Sequence, residues 1–265
     1  MGGDDTARIA RQYSTVAHDY VELWAPVLLP YTRRLLDRLP LEGAERVLDL
    51  GTGVGTALLE IARRAPRAAV IGADIALGML AEVPTGHPLV AMDAVRSAFV
   101  DETLDAVVSA FVLFNVPDLP AALGGIRATL RPGGAFGLTS WGDADESESS
   151  RVFAEELDAA GAAPGPPAMA ARAQLRTEEA MAQALRAAGL ADVATWSVPF
   201  EERWDPEGAI RLMTRIGSTR FRLASLADDA RERCLERVRR RFDRLDADAF
   251  VERDVVIMGT ASAPD

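Results

Sequence analysis

The chain has 265 residues, 49% hydrophobic and 26% charged, the composition of an ordinary globular protein with enough apolar mass for one large domain and its insertions. Its net charge of −11 opposes a nucleic-acid surface, which needs a basic face, and no uninterrupted apolar run approaches the roughly 18 residues of a membrane span. All 29 basic residues are arginine, so lysine chemistry is excluded, and the single cysteine, Cys234, permits no intramolecular disulfide and suits a reducing cytoplasm.

The opening MGGDDTARIA is polar and acidic, unlike a signal peptide, and Gly2 and Thr6 match a loose myristoylation pattern with no basic patch behind it. Residues 13–39 are predicted helical, with Leu28, Leu35, Leu36 and Leu39 on an apolar face that Pro26 and Pro30 interrupt. From 46 to 141 short apolar runs, at 47–50, 69–72, 89–92, 106–111 and 135–139, alternate with amphipathic segments. That rhythm predicts βα units and a parallel sheet covered on both faces. Arg131-Pro132-Gly133-Gly134 is expected to end a helix and launch the next strand. Beyond 143 come the polar run GDADESESS, a loop APGPP at 163–167, a helix at 177–188, and strands at 193–200 and 255–262. The stretch between those strands is far too long for a hairpin loop and reads as helical insertion. Within it, a helix at 228–245 carries Cys234 on one face with Ala230, Val238 and Phe242, as a buried structural thiol.

The most informative stretch is VLDLGTGVGTALLEIA at 47–62. A phosphate-binding P-loop would need a lysine that the chain lacks. A dinucleotide turn prefers G-x-G-x-x-[GA]; Gly51 and Gly53 fit, but Thr56 holds the third position and Asp49 precedes the first glycine. A carboxylate would repel a pyrophosphate and favour a cationic ligand, such as a nucleoside with a positive amino-acid tail.

With these residues in view, DLGTGVG resembles the first motif of class I S-adenosylmethionine-dependent methyltransferases of the small-molecule type, the ubiquinone/menaquinone-biosynthesis group in particular. The resemblance implies an α/β fold: a Rossmann-like, seven-stranded, mostly parallel sheet with helices on both faces and helical cap insertions at about 143–176 and 204–250. It also implies an N-terminal helical lid over residues 1–40 and a cofactor-binding domain over 41–265. Cofactor contacts carry over to Asp49, Gly51, Thr52 and Gly53 in the turn and to Asp74 on the ribose, with its neighbour Ile75. Met79 falls against adenine, Asp93 and Ala94 at its amino group, and Ala110 at the end of the fourth strand. YSTVAHDYVELW resembles the family's lid, with Tyr13 and Tyr20 closing over the cofactor and Trp24 nearby, while Asn115-Val116 matches the quinone group by a dipeptide alone.

The implied reaction is in-line attack on a sulfonium methyl by a small-molecule acceptor, a lipophilic or secondary metabolite, with oxygen ahead of carbon or nitrogen. His18, in the lid, is the candidate base, with a solvent-facing lid histidine the alternative reading. Trp141, Phe200, Trp204, Met213 and Phe221 are candidates to line an acceptor pocket, and RVRRRFDR at 237–244 reads as a solvated helix face. His18 and His87 stand 69 residues apart with no Cys/His cluster, so no metal site is expected. Two alternatives stay open, a nicotinamide-dependent oxidoreductase and a non-methylating protein that binds the same cofactor, as does a homodimer.

Overall fold

The computed structural model describes residues 2–143, 146–165, 169–217 and 219–265. Ala144 and Asp145 of the polar run and Pro166 and Pro167 of the expected loop lie outside the described residues. The strands are β1 (Arg46–Leu50), β2 (Ala69–Asp74), β3 (Leu89–Ala91), β4 (Leu104–Ala110), β5 (Leu130–Trp141), β6 (Ala191–Arg203) and β7 (Val251–Ser262). They form one sheet in the order β3-β2-β1-β4-β5-β7-β6. β2, β1, β4 and β5 follow one another in parallel, as do β3 and β2, whereas β7 runs antiparallel to β5 with Ala135 opposite Ser262.

The central strands are buried along nearly their whole length, which explains why they read as continuous apolar runs rather than alternating ones. Leu35 and Leu36 of helix Ala25–Leu36 and Leu58 and Ile61 of helix Thr56–Arg64 share a core with Val47, Val70 and Val108. The chain turns from β1 outward to β2 and β3, and later from β4 the other way. Ligands of open α/β sheets bind at the carboxyl edge of such a reversal, which here falls between β1 and β4.

Two compact units divide the chain: residues 1–143, 168–198 and 255–265, and residues 144–167 and 199–254. The expected lid, 1–40, groups with the sheet in the first unit rather than standing as its own domain, and 168–176 joins that unit as well. The second unit has its own core, in which Phe153, Leu157, Met213, Val238 and Phe242 pack with a fully buried Cys234, whose thiol pKa burial raises. Trp204 packs against that core too, so Met213 and Trp204 are core-packing residues of this unit. Arg237 and Arg241 pair with Glu156 and Glu155 at 2.6 and 2.7 Å.

Two local expectations need correction. The stretch 13–39 is three helices, Gly2–Ser14, Ala17–Leu23 and Ala25–Leu36, broken at Thr15-Val16 and at Trp24. Pro26 lies in the first turn of the last of these and Pro30 one turn later; the exposed Pro30 is tolerated. The Arg131–Gly134 turn does not precede the strand: β5 already begins at Leu130, opposite Leu104, and the register then shifts before Ala135 pairs with Ala106. Gly133, at φ +69°, supplies the left-handed residue for this irregularity.

Candidate active site

The turn after β1 is tied to β2. Ala73 O accepts hydrogen bonds from the N–H groups of Gly51 (2.7 Å) and Thr52 (2.9 Å). Gly51 and Gly53 adopt φ +74° and +54°, a region costly for other residues. A Cβ on Gly51 would lie 2.3 Å from Val112 Cγ2, whereas one on Gly53 would meet nothing within 4 Å. The first glycine therefore permits close packing, and the second leaves space open.

Asp74, at the end of β2, organises this edge. Its Oδ2 accepts from Gly53 N–H at 2.9 Å and its Oδ1 from Ala76 N–H at 2.8 Å. Burial raises its pKa, and the amides of Ala76, Gly53 and Ile75 oppose that rise. Each oxygen keeps a lone pair, so a carboxylate fixed in orientation faces outward with accepting capacity to spare.

It faces a cavity of about 760 Å³ including its open mouth. Gly51, Gly53, Asp74, Ile75 and Met79 line it on the β1–β2 side. Asp93 and Ala94 come from the loop after β3, Ala110 from the end of β4, and Tyr13 and Tyr20 from the N-terminal helices. Asp93 is held by accepting from Val95 N–H at 3.0 Å. The tyrosine rings meet edge-on with centroids 6.5 Å apart, and Tyr13 Oη accepts a 3.0 Å hydrogen bond from Asn115 Nδ2. Burial raises both phenol pKa values, so both stay protonated at neutral pH.

Asp49 and Thr52 border instead a smaller hollow of about 380 Å³, which shares Tyr20, Gly51, Gly53, Ala110 and Phe111 with the larger one. Asp49 is 1% exposed and accepts from Thr52 Oγ1 at 2.7 Å. Burial pushes its pKa up to about 7; hydrogen bonds from Thr52 and the Leu58 backbone lower it, and the Asp74 charge raises it.

His18, the candidate base, takes the solvent-facing alternative. It lines neither hollow, its side chain is 77% exposed, and it sits 3.7 Å from Glu22 and 3.9 Å from Glu82. The helix carries Tyr20 inward and turns His18 to solvent. Sequence reasoning missed Thr6 and Ile9, which line the cavity and fall at i and i+3 with Tyr13 at i+7 on helix Gly2–Ser14. That spacing was visible, though it began inside a polar, glycine-rich start. Val112, Asn115, Val116 and Pro117 also line the cavity. Among the described residues no cluster of His, Cys, Asp and Glu could hold a metal ion, and no helix is long and apolar enough to cross a membrane.

The sequence and fold resemble those of known proteins. The family description "Methyltransferase domain" matches residues 21–195. A malonyl-[acyl-carrier protein] O-methyltransferase of Xylella fastidiosa is 32% identical over 160 residues, covering 57% of this chain and 54% of the relative. A demethylmenaquinone methyltransferase of Corynebacterium kroppenstedtii is 35% identical over 127 residues, 48% of this chain and 53% of the relative. The chain thus spans about half the length of these curated relatives. In fold it is similar to Haemonchus contortus phosphoethanolamine N-methyltransferase 2, solved with S-adenosyl-L-methionine, at a TM-score of 0.52 and 19% identity over 89% of this chain and 53% of that one. With two thirds of its length matched, the chain belongs to the methyltransferase-domain family.

Proposed function

We propose that the chain binds S-adenosylmethionine and transfers its methyl group to a small organic acceptor. The observation that carries this reading is Asp74, a buried carboxylate oriented by two backbone amides and open to the cavity. Its free accepting capacity suits the vicinal hydroxyls of a ribose. The other lining groups fit the rest of the cofactor. Met79 and Ile75 offer apolar surface to a base, and Asp93 an acceptor for its amino group. The smaller hollow, bordered by Asp49, suits an ammonium-bearing tail.

When bound, S-adenosylmethionine supplies a methyl group on a sulfonium, an electrophile whose transfer depends on alignment. The chain's part is to hold and orient, and well-aligned intramolecular reactions gain roughly 7–11 kcal/mol that way. Tyr13 and Tyr20 keep their protons and act as hydrogen-bonding walls rather than bases. Oxygen is the favoured acceptor atom, in keeping with the Xylella relative, which is named for O-methylation. Incubation with S-adenosylmethionine and a panel of hydroxylated, carboxylated and activated-carbon acceptors should release S-adenosylhomocysteine together with methylated product. Binding without release across the panel would remove methyl transfer from this reading and leave only cofactor binding. In the same assay His18→Ala should leave turnover within about twofold of the parent, as for an exposed residue away from the chemistry. A loss of a hundredfold would restore the histidine as a base.

Asp49 gives this reading a pH signature. Its folded pKa of about 7 lies above the ordinary 3.8, so on its account stability erodes as pH rises between those values. A bound ammonium favours the ionised carboxylate and drives the proton off. S-adenosylhomocysteine binding at pH 6 should therefore release close to one proton per chain, read as the slope of binding heat against buffer ionisation enthalpy. Asp49→Asn should abolish the slope. A zero slope in the parent would place the tail away from Asp49.

A further inference from the structure

Met92 has no part in the reading so far. It follows β3 at the carboxyl edge of the sheet, lines the larger cavity and is 7% exposed. Its N–H donates to the Asp74 carbonyl at 3.0 Å, so its backbone is joined to the end of β2. Its sulfur is engaged as well: Met92 Sδ accepts a hydrogen bond from Ala98 N–H at 3.2 Å, six residues further on. A thioether is a weak acceptor, and a methionine in a core serves mostly as adaptable apolar filling. Here the sulfur closes a loop.

What that loop carries gives the closure a purpose. Asp93 and Ala94 lie within it and line the cavity. Asp93 Oδ1 accepts from Val95 N–H at 3.0 Å, and the Asp93 carbonyl accepts from Arg96 N–H at 2.9 Å. Both bonds run to near neighbours in the chain, so they shape the turn without tying it to the sheet. Residues 93–98 are half-buried or exposed, so packing holds the segment weakly. Met92 supplies what those local bonds do not. Its backbone is fixed on Asp74 and its sulfur gathers the far end of the loop at Ala98, which sets the position of the Asp93 carboxylate between them.

We infer that Met92 is a positioning residue for base recognition: by holding Ala98 N–H, its thioether sets Asp93 where it accepts from an exocyclic amino group, and so makes the site select a 6-aminopurine over a 6-oxopurine. The inference rests on the S-adenosylmethionine reading of the cavity. Opposite position 6 of an oxopurine the carboxylate meets a carbonyl oxygen, two acceptors with no proton between them. A site arranged to hydrogen-bond an amino group rejects the analogue that lacks it. A carboxylate that drifts from its place loses this discrimination first, because ribose and tail are held by other residues.

The test is calorimetry on the full chain with S-adenosylhomocysteine and S-inosylhomocysteine, which share ribose and tail and differ in the purine. The parent should prefer the adenosyl ligand by about 20-fold or more. Met92→Leu keeps apolar bulk and removes the acceptor, and should shrink that ratio by about fivefold. Ala98→Pro removes the N–H at the other end of the same bond, from an exposed position, and should shrink it too. The double variant should be no less selective than the poorer single one, since both changes delete one interaction. A methionine that merely fills space would weaken both ligands alike and leave the ratio alone. An unchanged ratio in Met92→Leu, or losses that add in the double variant, would overturn the inference. Should Met92→Leu fail to fold, an unchanged ratio in Ala98→Pro would overturn it. Equal affinity of the parent for the two ligands would overturn this inference alone, and failure of the parent to bind S-adenosylhomocysteine would overturn the reading beneath it as well.

Discussion

Asp74→Ala is expected to weaken S-adenosylhomocysteine binding by about 100-fold or more, equivalent to about 3 kcal/mol. Two effects combine. The ribose loses its acceptor, and the N–H groups of Gly53 and Ala76 lose the carboxylate that fixes the two loops against each other. Hydrogen bonds to a charged partner contribute about 1.5–3 kcal/mol each, so the free protein should also melt earlier. Asp74→Asn should be nearly as damaging, because its amide nitrogen would face one of those N–H donors with no acceptor to offer. Calorimetric affinity and the melting temperature without ligand separate the two effects. An earlier melt with unchanged affinity would leave Asp74 a loop clamp and sink the ribose assignment.

Gly51→Ala should cost about 2–4 kcal/mol of stability, the largest loss expected from adding a single methyl to the turn. The backbone sits at φ +74°, where any Cβ is strained, and that Cβ would overlap Val112 Cγ2 at 2.3 Å and Cγ1 at 2.4 Å. Val112→Ala in the same chain should remove the two Cγ clashes but leave Val112 Cβ at 2.8 Å and the backbone strain, so the double variant should regain part of the loss. Gly53→Ala provides the contrast. Its Cβ meets nothing within 4 Å, so stability should fall by only about 1 kcal/mol while ligand affinity falls more. Chemical denaturation of the four chains with calorimetry alongside checks both statements. Equal stability losses at the two glycines, or no rescue by Val112→Ala, would contradict the packing described for this turn.

Much of this edge was legible because the signals were local. β1 and β4 are buried along most of their length and β2 at half its positions, and a buried parallel strand announces itself as an apolar run. The glycines, Asp74 and Asp93 stand at successive strand ends, so once the strands are placed their common edge follows from topology. What depends on orientation was not legible. His18 and Tyr20 are two residues apart on one helix; the lid resemblance points Tyr20 at the cofactor, but the apolar pattern alone does not say that His18 turns to solvent. Thr6 and Ile9 were hidden because the N-terminal helix extends back through Gly2, where composition argues against one. Met213 and Trp204 had the right chemistry for a pocket and pack instead in the core of the second unit, a choice that tertiary contacts alone decide. The left-handed backbone of Phe111, at φ +61°, has no sequence signature, since the residue before a valine in an apolar run reads as strand.

The measurement that bears most directly on the central claim is calorimetric titration of the purified chain with S-adenosylmethionine, S-adenosylhomocysteine and NADH in parallel. Saturable binding of the first two at one site per chain, in the micromolar range or about −8 kcal/mol, and no heat from NADH is the expected result. Binding of NADH alone would contradict it, and would make Asp49 and Thr56, both at odds with a dinucleotide turn, the residues to explain.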